Sequence, residues 1–347
     1  MKSIPEIAMS MKALLAKVWK LWYVKIALLA LAFVFPFVTT NSYLTYICVM
    51  IMIYSIAIFG YNFMTGFAGT FIMSQAAFCG LGGYMSAYIS MNCGIPVMLS
   101  MFLGACFAAL CGFLLSLPTQ RLQSTFLSLA TLGFNQLMYI VYQNATPFTG
   151  GAYGIKDIPR PTLFGVRMDN TAYYIMTLIV LIICYILLKN VLASKTGRVM
   201  FAIAVDPSLA ASMGINPGKY RSLIFTVCSF FGGLAGALQV HFINYTFAKN
   251  YTGDETMMML SMMALGGMSS LSGSIVGPAI FLFISLYFAG LYNYRLFICG
   301  AMLILTMLFR PNGIMGGKLI APRKSSLRYI STQDLAREAN VNMRLMR

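Results

Sequence analysis

Long apolar runs dominate the chain, and their lengths predict membrane-spanning helices. Residues 26–120 contain no Asp, Glu, Lys, Arg or His, and further apolar runs follow the charged break at Arg121. Each run is close to the roughly 20 residues that a helix needs to cross a bilayer. The predicted spans are Tyr23–Thr39, Tyr43–Phe59, Ser74–Met91, Ile95–Leu117, Thr125–Ala145, Ala172–Leu188, Ser222–Tyr245, two crossings within Met257–Phe288, and Arg295–Phe309.

Glycines and polar residues interrupt two of these runs, at Gly60–Gly83 and Gly266–Gly277. Irregular backbone at membrane depth is tolerated where it is buried in protein or lines a watery cavity. Close helix packing also favours glycine, so both interpretations stay open. The comparable positions of the breaks favour a duplicated architecture with the transport path between the repeats. The predicted fold is all-α: a polytopic membrane protein of about ten transmembrane helices, with two pseudo-symmetric halves and glycine-broken helices.

One interval between spans, Lys189–Arg221, has the pattern of a short helix outside the bilayer. Asp206-Pro207-Ser208 is typical of a helix start, and the glycines and proline of 214–218 are typical of a stop. We therefore predict a helix at Ser208–Met213. A passive connector is the alternative interpretation.

The two ends of the chain differ from the apolar middle. Residues 1–25 place lysines on one helical face and apolar residues on the other, which predicts an amphipathic helix in the membrane interface. Residues 318–347 form a basic polar tail. The expected organisation is thus this N-terminal helix, a transmembrane domain at 26–317 containing the cytosolic loop 189–221, and a cytosolic tail at 318–347.

Composition agrees with a membrane protein, since 59% of the residues are hydrophobic, 9% are charged and the mean hydropathy is +0.79. The net charge of +16 comes from Lys and Arg at segment ends and in the tails. That placement predicts basic cytoplasmic loops and both termini inside, and it does not favour nucleic-acid binding. The eight cysteines form no CxxC pair, so we predict neither disulfides, nor a metal, nor a cofactor.

Apart from Lys25 and Arg295 near the starts of two spans, the predicted spans contain no acid or base except His241, which we interpret as a satisfied or interfacial histidine. The adjacent pair Asp254-Glu255 is assigned to a solvated loop. A nucleotide-binding GxxxxGK[ST] motif is also absent from the sequence. The chain therefore has no evident energy source of its own. We expect energy to enter from another polypeptide at the 208–213 helix, with the flanking spans carrying the movement to the glycine breaks.

Several short motifs, in this order, resemble one family of transport proteins. They are GYNFMTGFAGTFIMSQAAFCGLGGY at 60–84, LATLGF at 129–134, TGGAYGI at 149–155, TGRVMFAIAVDPSLAASMGIN at 196–216, FFGGLAGAL at 230–238, LGGMSSLSGSIVGP at 265–278 and LFRPNGIMG at 308–316. The chain is similar to the permease subunit of bacterial ATP-binding-cassette importers of the high-affinity branched-chain amino-acid class. Within that class it resembles the longer of the two membrane subunits.

The resemblance implies an importer subunit in the bacterial cytoplasmic (inner) membrane that has no ATPase site of its own. The implied partners are two cytosolic ATP-binding-cassette ATPases, a second permease subunit and an extracytoplasmic substrate-binding protein. The resemblance also implies that Thr196–Ile215 is the coupling loop, which lies in a cleft of the ATPase. Its candidate contact residues are Gly197, Arg198, Asp206, Ala210, Ala211, Gly214 and Ile215. The chain departs at one point from the family's coupling loop, which often has a glutamate ahead of its Ala-Ala pair: here Ser208-Leu209 precede the pair. The shape of the loop and the Asp206 carboxylate are then expected to take the role of that glutamate.

The candidate translocation path consists of glycines and amides near the breaks. They are Gly66, Gly69, Gln75, Gly80, Gly133, Asn135, Gly266 and Gly267. A path without fixed charge binds weakly, which suits a translocator whose selectivity resides in a separate binding protein.

Three other functions stay open from the sequence. A permease of the same class for urea or short amides differs only in substrate. A facilitative channel would need no cytosolic coupling helix. A lipid-modifying membrane enzyme would need clustered His, Asp or Glu, and the acids here are scattered.

Overall fold

The computed structural model describes residues 42–119, 122, 124–163, 166–287, 300, 301, 304, 308 and 313–315. The predicted interfacial helix, the first predicted span and the basic tail lie outside the described residues. So does most of the last predicted span, of which residues 300, 301, 304 and 308 are described and helical.

Helices make up almost all of the described chain. Their bounds are α1 Ser42–Asn62, α2 Gln75–Asn92, α3 Val97–Thr119, α4 Ser124–Asn144, α5 Thr146–Thr149, α6 Asn170–Ala193, α7 Lys195–Val205, α8 Pro207–Ser212, α9 Pro217–Ile243, α10 Gly253–Gly266 and α11 Gly273–Tyr287. A π-helical turn, Phe63–Phe67, extends α1, and short 3-10 turns occupy Gly151–Tyr153 and Ala248–Tyr251. The exception to the all-α prediction is a small antiparallel hairpin of β1 Thr162–Leu163 and β2 Val166–Arg167.

Four helical segments of the described chain are long and apolar enough to cross a membrane. They are Ser42–Phe67, Val97–Thr119, Asn170–Ala193 and Pro217–Ile243. Each single predicted span between residues 42 and 245 coincides with a helix to within a few residues. The pair of crossings predicted within 257–288 corresponds to two helices, α10 and α11, whose 14 and 15 residues are fewer than a full crossing needs. The apolar runs thus located these helices correctly.

Close helix packing surrounds α9, which contacts α1, α2 and α3. Glycines make that approach possible: a Cβ on Gly82 would lie 2.2 Å from the carbonyl oxygen of Gly233, and one on Gly236 would lie 1.9 Å from that of Cys79. Neither distance leaves room for a side chain. The small residues of α9 therefore let a neighbouring backbone come close.

The described helices have two distinct ends. The 24 residues of α6 span about 36 Å and connect the β1–β2 hairpin at one end to α7 and α8 at the other. Helix α9 returns in the opposite direction. We call these ends the hairpin side and the α8 side.

Candidate functional site

The segment predicted to meet a partner is a compact turn of two helices, α7 and α8, joined at Asp206. The Oδ1 atom of Asp206 accepts hydrogen bonds from the backbone N–H groups of Ser208, at 2.8 Å, and Leu209, at 3.2 Å. Pro207 follows at the first helical position, where its missing N–H costs nothing. An N-cap of this kind stabilises a helix by about 0.5–2 kcal/mol. The predicted helix start is confirmed, and the Asp206 carboxylate is engaged by α8 itself.

Helix α8 ends in a Schellman motif around Gly214, whose φ is +80°. The Gly214 N–H donates to the Ala211 carbonyl at 2.9 Å, and the Ile215 N–H donates to the Ala210 carbonyl at 3.1 Å. Glycine adopts this left-handed conformation without the steric cost that other residues meet. The predicted stop is confirmed, and the helix lies at Pro207–Ser212, one residue earlier than predicted.

The α7–α8 turn carries an apolar surface that no described residue covers. Ala210 is buried against the protein, whereas Ala211 is exposed. The side chains of Val205, Leu209 and Met213 are 83%, 62% and 76% exposed. Large apolar side chains grouped on an exposed turn are typical of a protein contact surface. We call Val205, Leu209 and Met213 the α8 apolar surface.

The remaining residues of the predicted coupling loop divide between packing and surface. A Cβ on Gly197 would lie 2.1 Å from the Leu192 carbonyl oxygen, so this glycine lets α7 fold tightly against the end of α6. Arg198 is exposed next to it. Gly197 therefore shapes the turn, while the Arg198 side chain lies on its surface.

The α7–α8 turn contacts the first glycine break directly. The rings of Phe201 and Phe67 meet edge to face, with centroids 6.0 Å apart. A Cβ on Gly69 would lie 3.2 Å from that of Ala204. These contacts give a movement of α7 a direct route to the break, in addition to the expected route through the flanking spans.

The two glycine breaks meet at Asn62, which is completely buried. Its Nδ2 donates to the Ser274 Oγ at 2.8 Å and to the Ser270 carbonyl at 3.1 Å. Its Oδ1 accepts from the Ser269 N–H at 3.0 Å, and the Ser269 hydroxyl donates to the Gly66 carbonyl. Segments about 200 residues apart therefore form one hydrogen-bonded unit, which we call the Asn62 junction.

The Asn62 junction is closely packed. A Cβ on Gly66 would lie 1.9 Å from the Asn62 Oδ1, and a Cβ on Gly266 would lie 2.0 Å from the Gly273 carbonyl oxygen. Gly267 is also buried, with a φ of +121°. Gly66 and Gly266 thus let backbones approach each other, and Gly267 adopts a conformation that favours glycine, which agrees with the packing interpretation that the sequence left open.

Helix α2 begins inside the protein and receives its cap from other helices. Its own N-cap side chain makes no capping bond. Instead, Asn135 Oδ1 on α4 accepts from the Ala77 N–H at 2.9 Å, and Thr256 Oγ1 on α10 accepts from the Ala76 N–H at 3.2 Å. The first N–H groups of a helix have no intrahelical acceptor, so these side chains satisfy donors that lipid could not.

Two further path candidates are also engaged in packing. Gln75 donates from Nε2 to the Ala57 carbonyl at 2.8 Å and accepts from the Cys228 thiol at 3.1 Å. A Cβ on Gly80 would lie 2.5 Å from the ring of Tyr142. Both residues therefore lie between helices in this structure.

Gly69 and Gly133 are the path candidates that are exposed on the described part of the chain. Gly133 lies on α4, opposite the face that buries Thr131 and Asn135, and a Cβ there would meet nothing within 4 Å. Gln136 is exposed beside it in the middle of the helix. A polar side chain at that position disfavours simple lipid contact. We call the surface that carries Gly133 and Gln136 the open face of α4.

One expectation about charge is wrong. Helix α10 begins at Gly253, so Asp254 and Glu255 lie in its first turn and not in a solvated loop. Asp254 is exposed, but Glu255 is half-buried and its Oε1 accepts a hydrogen bond from the hydroxyl of the buried Tyr54, within α1. Packing of α10 against α1 therefore places the Glu255 carboxylate inside the helical body. The expected absence of such a group no longer supports the argument that energy enters from another polypeptide.

His241 is satisfied, as predicted. The imidazole is buried, with Nδ1 2.7 Å from the Pro159 carbonyl oxygen and Nε2 2.8 Å from the Ser86 Oγ. A carbonyl only accepts, so Nδ1 carries the proton and Nε2 accepts from the serine. Across the residues that the structure describes, no three His, Cys, Asp or Glu side chains are grouped to hold a metal ion.

Comparison with known proteins gives consistent results. The permease protein LivM of the high-affinity branched-chain amino acid transport system of Escherichia coli K12 is 28% identical over 315 residues, covering 84% of this chain and 74% of that protein. The LivH permease of the same system is 27% identical over 197 residues, covering 52% and 61%. The ribose import permease protein RbsC of the same organism is 26% identical over 231 residues, covering 62% and 68%.

No solved structure matches the chain. The sequence family described as branched-chain amino acid transport system / permease component matches residues 43–307. That range contains α1 to α11, the α7–α8 turn and both glycine breaks. The chain therefore belongs to this family of permease components.

Proposed function

We propose that this chain is a membrane-spanning permease subunit of an ATP-driven importer. It translocates branched-chain or related amino acids that an extracytoplasmic binding protein delivers. The observation that carries the proposal is the family match over residues 43–307, together with the uncovered α8 apolar surface at the position where that family resemblance implies an ATPase contact.

In this proposal the α8 side faces the cytosol, where two ATP-binding-cassette ATPases bind the turn. Leu209, Met213, Ala211 and Arg198 are the contact residues, while Asp206, Gly197, Ala210, Gly214 and Ile215 hold the shape of the turn. The basic character of loop 189–221 supports this sidedness. The full chain has about ten spans in two related halves and both termini in the cytosol, with an interfacial helix at 1–25, the permease domain at 26–317 and a basic tail at 318–347.

ATP-driven movement of the α7–α8 turn reaches the Asn62 junction through the contacts of Phe201 with Phe67 and of Ala204 with Gly69. Because the junction ties both breaks together, the breaks shift as one unit. The translocation path runs beside the open face of α4, where Gly133 leaves space, and a second permease subunit closes the other side. Gly66, Gln75, Gly80, Asn135, Gly266 and Gly267 act by positioning the helices that move.

Three alternatives have less support. The same geometry would serve urea, short amides or, as the RbsC relative shows for its own system, another small solute. A facilitative channel would leave the α8 apolar surface without a partner. The third alternative, proton coupling through Glu255, is addressed by the test below.

The test is transport by purified protein in proteoliposomes. We expect leucine uptake only when this chain is reconstituted with a second permease subunit, two ATPases, the binding protein and ATP. Uptake should persist when a protonophore collapses the pH gradient. Uptake driven by a pH gradient without partners would overturn the proposal.

A variant isolates the role of the turn. Ala211→Arg places a bulky charge on the exposed surface of α8 and should reduce ATP-driven uptake at least about tenfold, with normal membrane insertion. Ala193→Arg is the matched control, because Ala193 is also exposed on the α8 side but precedes α7. Equal uptake by the two variants would refute a coupling role for α8.

A further inference from the structure

A cavity of about 500 Å³ opens on the hairpin side, at the ends of α6 and α9 that are farthest from α8. It lies among residues 157–160, residues 167–169 and Asn244. Its volume falls within the roughly 300–1,000 Å³ that is common for small-molecule sites. None of the expected path or coupling residues lines it.

One wall of the cavity is held rigidly by Arg160. Its Nε donates to the Asn244 Oδ1 at 2.8 Å, and its Nη1 donates to the Asn170 Oδ1 at 3.0 Å. Asn244 in turn donates to the Ile158 carbonyl at 2.6 Å. These bonds join the loop to the end of α9 and the start of α6, so the cavity exists before any ligand arrives.

The rim carries both signs of charge. Asp157, Arg167 and Asp169 are exposed and line the same cavity. Within the part of the chain that the structure describes, their side chains form no ion pair and no hydrogen bond. Besides the Arg160 guanidinium, which is engaged in the wall, one cation and two anions around this opening are thus available to a ligand.

Ile158 and Met168 contribute to the lining and are 1% and 4% exposed, so they close the floor of the cavity with a small apolar area. A ligand that fits has a negative group for Arg167, a positive group for Asp157 or Asp169, and a short aliphatic branch beside them. An aliphatic α-amino acid carries its carboxylate and its ammonium on one carbon, from which the aliphatic side chain branches, and a concave site suits it better than a flat protein contact would.

We infer that this cavity binds a free aliphatic α-amino acid as a zwitterion on the side opposite α8. The inference rests on the proposed function, since it names a receiving site for the solute that the importer moves. The carboxylate pairs with the Arg167 guanidinium, and the ammonium pairs with the aspartates of the rim.

Saturation-transfer NMR on the full chain in lipid nanodiscs tests this inference with leucine as the probe. Isopentylamine lacks the carboxylate and 4-methylpentanoate lacks the ammonium, so both should bind at least about tenfold more weakly than leucine. Arg167→Gln and the double variant Asp157→Asn/Asp169→Asn should weaken leucine binding by a similar factor. Arg167→Lys keeps the charge and should retain most of the affinity.

Lys156→Gln is the matched control, because Lys156 is an exposed charge in the same loop that does not line the cavity. Its leucine affinity should change by less than about twofold. The inference is overturned if wild-type protein shows no leucine signal at about 10 mM, or if both analogues bind as well as leucine. It is also overturned if Arg167→Gln weakens association with the binding protein but leaves leucine binding intact, which would assign the rim to protein docking.

ATP-driven uptake, measured in parallel, separates this inference from the proposed function. Uptake by the complete importer without leucine binding at the cavity would remove the cavity site and leave the proposed function standing. Leucine binding at the cavity without ATP-driven uptake would support the cavity site and contradict the proposed function.

Discussion

At the scale of single residues, the polar side chains within the apolar helices mostly serve backbone groups. Asn62, Asn135 and Thr256 each bond an N–H or carbonyl of another helix or break. Lipid offers no substitute partner, so losing one such side chain leaves a buried donor or acceptor unsatisfied. These residues therefore matter for stability even though they touch no solute in this structure.

Replacing Asn62 tests this at the junction. Asn62→Leu keeps most of the volume but leaves the Ser269 N–H without its acceptor, so we expect a loss of about 1–3 kcal/mol in the free energy of unfolding. Denaturant unfolding in mixed micelles measures it. Ser274→Ala removes one bond while Asn62 keeps the Ser270 carbonyl, and it should cost less than about 1 kcal/mol. Equal losses in both variants would argue against the junction.

At the scale of elements, α2 shows how a helix can begin in the middle of a membrane protein. Its start is irregular from residue 68 to residue 74, and its first N–H groups depend on α4 and α10. The helix is therefore stable only in the presence of its neighbours, and movement of α4 or α10 is coupled to the position of α2.

Two adjacent residues of α4 provide a matched test of that dependence. Asn135→Leu removes the acceptor for the Ala77 N–H and should lower the free energy of unfolding by about 1–3 kcal/mol. Gln136→Leu changes an exposed position of the same helix and should shift it by less than about 0.5 kcal/mol. Thermal unfolding of the two purified variants compares them directly. A larger effect at Gln136 would contradict the capping role.

At the scale of the whole molecule, the described helices separate two surfaces with different character. The α8 side presents the apolar turn beside Lys195, Arg198 and Lys219, and the hairpin side presents the charged cavity. The separation is about 36 Å along α6, which exceeds the hydrocarbon thickness of a bilayer. A solute or a signal must therefore cross the helical body to pass from one to the other.

Labelling of single cysteines checks the sidedness of these surfaces. Tyr153 and Ala193 are exposed on opposite sides, and neither is a proposed ATPase contact. In intact cells, Tyr153→Cys should gain label from a membrane-impermeant maleimide, and Ala193→Cys should gain label only after permeabilisation. Wild-type protein corrects for its native cysteines. The reverse pattern would invert the topology and with it the placement of the ATPases.

The amino-acid sequence by itself determined the local elements. Apolar run lengths placed α1 to α4, α6, α9 and the pair α10 and α11, and Asp206, Pro207 and Gly214 defined α8, because caps and left-handed stops depend on residues within one turn. All of these signals act over a few positions along the chain.

Only the tertiary structure decided which polar groups meet. Asn62 bonds residues about 200 positions away, Glu255 reaches Tyr54, and Arg160 joins Asn244. Hydropathy cannot anticipate these pairs, because a residue facing lipid and a residue facing another helix are equally apolar in a membrane protein. The charge within the helical body, the packed state of the glycine breaks and the cavity on the hairpin side all follow from that long-range pairing.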